Sequence, residues 1–138
     1  MANATSEEQA ADLAARLEAE PDIAVAYLFG SRARGNARPN SDVDVGVLLD
    51  AGVDIHRRQL DLIASLGANV DLVVLNDAPP ALGYRVLRDG IVLVCHDNRA
   101  RVEHWVRTVD RYLDTAPMRR TLEEGLRHRI AEGRFGRS

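Results

Sequence analysis

The chain has 138 residues, a 46% hydrophobic share and a formal net charge of −3. That fits one ordinary domain with a real core and excludes the global positive field of a general nucleic-acid binder. Its single cysteine, Cys95, leaves no intramolecular disulfide and suits a reducing cytoplasm. No apolar stretch approaches the length of a membrane span, and the opening residues lack the basic-then-apolar order of a signal peptide. A soluble cytoplasmic protein is expected.

Thr5 and Glu8 have the spacing of a capping box, and Ala10, Leu13, Ala14 and Leu17 fall on one helical face. This predicts a helix over about residues 6–20, stopped by Pro21. The run IAVAYLF over residues 23–29 is almost continuously apolar, as in a strand buried on both faces. It delivers Gly30 and Ser31 to its end. Glycine lets a phosphate approach the backbone closely, and the serine hydroxyl and nearby amides can donate to it. Arg32, Arg34 and Arg38 follow. Arginine binds phosphate oxygens bidentately, and Arg32, directly after the serine, is the first candidate to meet a triphosphate. Gly35, Pro39 and Asn40 mark a turn that returns the chain antiparallel.

The second predicted strand, VDVGVLL over residues 43–49, starts beside Asp42. Asp42, Asp44 and Gly46 share one strand face and Val43, Val45 and Val47 the other, with Gly46 leaving room above the carboxylates. Two carboxylates side by side repel unless something positive sits between them. The usual partner is Mg²⁺, held by carboxylates with phosphate oxygens and water. Aspartates opening an apolar strand run against strand propensity, and such exceptions mark functional sites. A phosphate cradle and a carboxylate pair joined by one loop describe a nucleotide-transfer site.

Asp54 is placed to N-cap a helix over residues 55–66, with Leu62, Ile63 and Leu66 buried and Gly67 at its stop. VDLVVL, residues 70–75, reads as a third strand. Asp71 is its only charge. A lone strand aspartate is costly when buried unpaired, so it either lies at the strand's mouth with an arginine or faces the Asp42/Asp44 pair. Pro79 and Pro80 open a short helix with Leu82, Val86 and Leu87 as its apolar side, ended at Gly90. IVLVC, residues 91–95, is a fourth strand with Cys95 as a small core residue, followed by a turn at His96 and Asp97. A helix over residues 101–113 carries Val102, Trp105, Val106, Val109 and Leu113 as a core stripe. Beyond Pro117, a helix over residues 118–130 has a thin stripe of Met118, Leu122, Leu126 and Ile130, lying on the body or on a partner. The order gives an α/β fold, a small mixed sheet flanked by helices with further helices at the C-terminal end. Residues 1–98 are expected to form the core and residues 99–138 a helical extension of the same domain.

Gly30-Ser31, ten residues, then Asp42-x-Asp44 matches a GS-x10-D-x-D signature. In this the chain resembles the minimal nucleotidyltransferases (MNT) of the polymerase-β-like superfamily. The wording LFGSRARG, SDVDVGVLL and VDLVVLN is similar to that of the antitoxins of HEPN–MNT toxin–antitoxin pairs, closely through the core and more loosely over the extension. The resemblance implies a nucleotidyltransferase fold and Mg²⁺-dependent transfer of AMP from ATP to a tyrosine hydroxyl of a cognate HEPN ribonuclease toxin. It implies two Mg²⁺ ions on Asp42, Asp44 and Asp71, with Asp71 completing the metal site and serving as base. Gly30, Ser31 and Arg32 would hold the nucleotide. A hetero-oligomer with the toxin follows, without direct nucleic-acid or membrane binding. The residues leave open a small-molecule, aminoglycoside-like O-nucleotidyltransferase and an antitoxin that acts by binding alone.

Overall fold

A computed structural model of the chain describes residues 6–30 and 43–131. The elements are α1 (Ser6–Glu18), β1 (Ile23–Phe29), β2 (Val43–Leu49), α2 (Ile55–Leu66), β3 (Val70–Val74), a 3-10 turn (Leu75–Asp77), α3 (Pro80–Asp89), β4 (Ile91–Cys95), α4 (Asn98–Asp114) and α5 (Ala116–Ala131). The four strands form one mixed sheet in the order β3-β2-β1-β4. β1 runs antiparallel to β2 and β4, whereas β2 and β3 are parallel and joined through α2, as a parallel pair requires a crossover.

Every residue of β1 is buried, because helices cover both faces of the sheet. On one face Leu13 and Leu17 of α1 and Leu62 and Leu66 of α2 pack against Val43, Val45, Val47 and Leu49. On the other, Val86 of α3 and Leu75 pack against Val25, Tyr27, Phe29 and Leu48. The period-two alternation of β2 thus splits its valines from Asp44, Gly46 and Leu48. A Cβ on Gly46 would stand 3.1 Å from Val86 Cγ1, so the space over Gly46 seats α3 and is not left open over the carboxylates.

Local polar contacts fix the connections. Asp54 caps α2, accepting from the Arg57 amide at 3.2 Å, and Gly67 ends the helix at φ 96°. Arg58 grips both oxygens of Asp22 at 2.6 and 2.9 Å and reaches Glu20 at 3.0 Å, tying α2 to the start of β1 with a bidentate fork. The Asn76 amide pairs with the Leu49 backbone, accepting from its N–H and donating to its C=O, both at 2.9 Å. The side chain thereby continues the β2–β3 ladder after β3 has ended at Val74.

Three expectations fail at the surface. Ile63 is exposed, because α2 buries only its Leu62/Leu66 line. Cys95 is exposed, because β4 is an edge strand with solvent beside it. The stripe on α4 faces outward: Val102, Trp105, Val106 and Leu113 are exposed, while His104 and Thr108 are the buried positions. The helix is anchored by polar and aromatic contacts instead. Asp97 caps it through the Ala100 amide at 3.0 Å, Tyr84 stacks on Tyr112 at 4.0 Å between centroids, and the Arg119 guanidinium lies 3.6 Å over Tyr112. Met118, Leu122 and Leu126 of α5 are also exposed. The capping box at Thr5 lies outside the described residues.

Burial, with the Arg107 cation nearby, lowers the His104 pKa below its ordinary 6.5. His96, exposed and held by the Ile23 carbonyl at 2.9 Å and by Glu18, is shifted upward. A lowered histidine stabilises the fold fully above its unfolded pKa, and that contribution is lost as pH falls toward the folded pKa; a raised one does the reverse. Thermal unfolding between pH 8 and pH 5 should therefore show a smaller acid loss for His104→Gln than for the wild type, and a larger one for His96→Gln. Parallel pH profiles would remove both groups from the acid response.

Candidate active site

The strand directions decide where chemistry can collect. β1 ends at the edge of the sheet where antiparallel β2 begins, and parallel β3 begins there too. Phe29 is the register partner of Asp44, and Asp44 of Asp71. Strands pair about 4.8 Å apart and register partners point to the same face, so Asp44 and Asp71 stand side by side. Asp44 is half-buried and Asp71 exposed. Asp71 thus lies exposed at the strand's mouth beside Asp44, with no arginine paired to it among the described residues.

Gly30 closes the third side. Its φ is 77°, a left-handed conformation that costs a residue with a Cβ about 1–2 kcal/mol. A Cβ there would also run into Asp44 Oδ2 and stand 3.1 Å from Asp44 Cγ. Only glycine lets the chain turn against that carboxylate. The backbone at the end of β1 and the acid at the start of β2 are therefore fitted to each other.

Asp42, Ser31 and Arg32, with Arg34 and Arg38, lie outside the described residues. Asp42 is two positions before Asp44 in the sequence. Among the described residues no group of three or more His, Cys, Asp or Glu side chains could hold a metal ion. Asp44 and Asp71 are nonetheless an all-oxygen donor pair on adjacent strands, which fits a hard divalent cation such as Mg²⁺, bound through one or two carboxylates plus substrate phosphates. His96 and Asp97 do not reach this edge. They follow β4 at the opposite end of the sheet, where the His96 and Asp97 amides both bond to the Ala24 carbonyl. The cavity lined by Leu75, Asn76, Gly83, His104, Arg107 and Arg111 is likewise at the far ends of β2 and β3.

Phe29, with no role of its own assigned from the sequence, and Arg85, which no quoted motif contains, complete the edge. Phe29 is buried beside Asp44, and the Arg85 guanidinium lies 6.0 Å from the Phe29 ring centroid. Strand alternation could have placed Phe29 on the Asp44 face. Arg85 could not be found that way, because its direction depends on the rotation of α3, which the Val86–Gly46 contact sets.

Comparison with known proteins points the same way. The model of the family described as polymerase beta, nucleotidyltransferase matches residues 11–99. The protein adenylyltransferase MntA of Shewanella oneidensis is 38% identical over 73 residues, 51% of this chain and 52% of that protein, so the match spans about half the relative's length. A chain of a toxin–antitoxin complex crystallised with AMP-PNP superposes with a TM-score of 0.66 at 27% identity, covering 86% of this chain and 97% of its own. A chain of the tri-AMPylated Shewanella oneidensis HEPN toxin in complex with MNT antitoxin does so with a TM-score of 0.64 at 25% identity, over 88% of this chain and 98% of its own.

Gly30→Ala should displace the Asp44 carboxylate and lower stability by about 1–2 kcal/mol, read by chemical denaturation. Unchanged stability would mean that the turn at Gly30 is not tied to Asp44.

Proposed function

Because the chain belongs to the polymerase beta nucleotidyltransferase family, we propose that it is an antitoxin acting as a Mg²⁺-dependent protein adenylyltransferase. It moves AMP from ATP to a tyrosine hydroxyl of a cognate HEPN-type toxin in the cytoplasm. The observation that carries this reading is the edge where Gly30, Asp44 and Asp71 meet. Two adjacent carboxylates against a glycine turn suit phosphate transfer, in which the carboxylates would hold a divalent cation and the turn would admit a phosphate.

Asp44 and Asp71, with Asp42, are the residues that would hold Mg²⁺, probed as two ions; when bound, the metal supplies Lewis-acid stabilisation of the charge on the phosphates. Gly30 offers its backbone to the terminal phosphates, with Ser31 and Arg32 as further holders. Asp71, the more exposed carboxylate, takes the proton of the attacking hydroxyl. The hydroxyl oxygen bonds to the α-phosphorus, the bond from that phosphorus to the bridging oxygen breaks, and pyrophosphate leaves with the electron pair. Orientation and charge do most of the work in such transfers.

The C-terminal helices favour a protein acceptor over a small molecule. Trp105, at 49% exposed, and Leu122, at 65%, sit with Val102, Val106, Leu113 and Met118 on surfaces that a solitary domain would keep polar. In this reading residues 1–98 carry the chemistry and residues 99–138 meet the partner. No helix of the described residues is long and apolar enough to cross a membrane, and the solved structures that superpose include chains of toxin–antitoxin complexes.

The test is intact mass spectrometry of the HEPN-type partner after incubation with this chain, Mg²⁺ and ATP. The partner should gain the mass of AMP on tyrosine. Asp44→Asn should cut the rate by more than about 100-fold, beyond what losing a residue behind a metal ligand costs, in a chain that still unfolds cooperatively. Transfer at the wild-type rate by Asp44→Asn would contradict the assignment. Trp105→Asp should cost no more than about 1–2 kcal/mol of stability, for the half of the side chain that is covered, while weakening capture of the partner. Unimpaired capture would move the docking surface away from α4.

A further inference from the structure

We propose that Arg85 of α3 is a substrate-contacting residue that grips the terminal phosphates of the nucleotide from the α3 face of the sheet, beside the Gly30 backbone turn. The assignment rests on the nucleotidyl-transfer reading of the Asp44 edge and adds to it a residue outside the GS-x10-D-x-D signature.

The placement follows from rungs of the sheet. Tyr27 pairs with Gly46, and Phe29 with Asp44. These are successive rungs on one face, separated by about 7 Å of strand rise. Val86 is locked over the first rung, because glycine at position 46 admits its Cγ1. The same helix approaches β1 again at Gly90, where a Cβ would stand 3.3 Å from Tyr27 Cβ. With α3 pinned at these points, Arg85 is directed to the next rung. Its guanidinium lies 6.0 Å from the Phe29 centroid, on the same face as Asp44 and one residue from Gly30.

Arg85 is exposed and makes no ion pair or side-chain hydrogen bond with any described residue. Arg58, Arg88 and Arg99, by contrast, are each committed to carboxylates. A long cationic side chain loses considerable rotamer freedom when held, and a cation resting on an aromatic face offsets that only modestly. What the Phe29 ring does is orient the planar fork without using its N–H donors. Those donors remain available to phosphate oxygens, which arginine binds bidentately. The triphosphate and the carboxylates together carry more negative charge than two Mg²⁺ ions neutralise, so a cation at this corner stabilises both the bound nucleotide and the departing pyrophosphate.

The test is calorimetric titration of the full chain with Mg²⁺ and AMP-PNP, and separately with AMP. Arg85→Ala should bind AMP-PNP about 10- to 100-fold more weakly, the range for a lost charge-assisted hydrogen bond, while AMP binding and the unfolding midpoint stay at wild-type values. Arg85→Lys, which keeps the charge and loses the fork, should fall between. Arg107→Ala, at the far end of the sheet, should bind AMP-PNP as the wild type does. AMP-PNP binding by Arg85→Ala at full strength would overturn the proposal, and so would an equal loss for AMP, which carries no terminal phosphates. A wild-type chain that binds neither nucleotide would instead overturn the nucleotidyl-transfer reading beneath it.

Discussion

Asp44 and Gly30 are fitted to one another so closely that a single methyl group would part them. Much of the rest serves that contact. β1 must be antiparallel to β2 for the end of one to meet the start of the other, and β3 must be parallel to β2 for its own first residues to join them. The α2 crossover makes that parallel pairing possible, and its anchor, Arg58 on Asp22 and Glu20, sits at the end of the sheet away from the site. The Arg58 anchor and the proposed site thus lie at opposite ends of the same four strands. One end holds the Arg58 fork on Asp22 and Glu20 and the Asn76 pairing with Leu49. The other brings the Asp44 and Asp71 carboxylates together on adjacent strands.

The strands were readable in the sequence because their signals are local. IAVAYLF has no polar residue to place on a solvent face, and it is buried throughout. Asp44 and Gly46 interrupt the valines of β2 at period two, and they lie on the α3 face as that period requires. Asp54 and Gly67 bound α2 because capping needs only a few neighbouring residues. What escaped was tertiary. The apolar spacing of Val102, Trp105, Val106 and Leu113 identifies a helix face correctly, but periodicity cannot say whether that face meets the sheet or something outside the chain. Cys95 was misplaced for the same reason: an apolar strand reads alike at the centre and at the edge. Asp42, Ser31 and Arg32 stand on the sequence alone, since the described residues stop at Gly30 and resume at Val43.

The outward stripe on α4 also bears on charge. Residues 98–138 carry ten arginines against six acidic residues, whereas the rest of the chain is acidic, within a total of −3. Two copies meeting through this basic segment would repel, so its apolar surface suits a partner of opposite charge. In the proposed function, a transferase that must hold a folded protein near its carboxylates would need such a surface in addition to its nucleotide site. The helices are attached to the core through His104, Thr108 and the Tyr84–Tyr112 stack, which leaves their apolar residues free to face outward.

The most direct test of the account is a crystal structure of the chain with Mn²⁺ and AMP-PNP, using the anomalous signal of manganese in place of magnesium. The account predicts metal density between the Asp44 and Asp71 carboxylates, with the terminal phosphates against the Gly30 turn. Metal and nucleotide bound elsewhere, with the Asp44 edge empty, would contradict it.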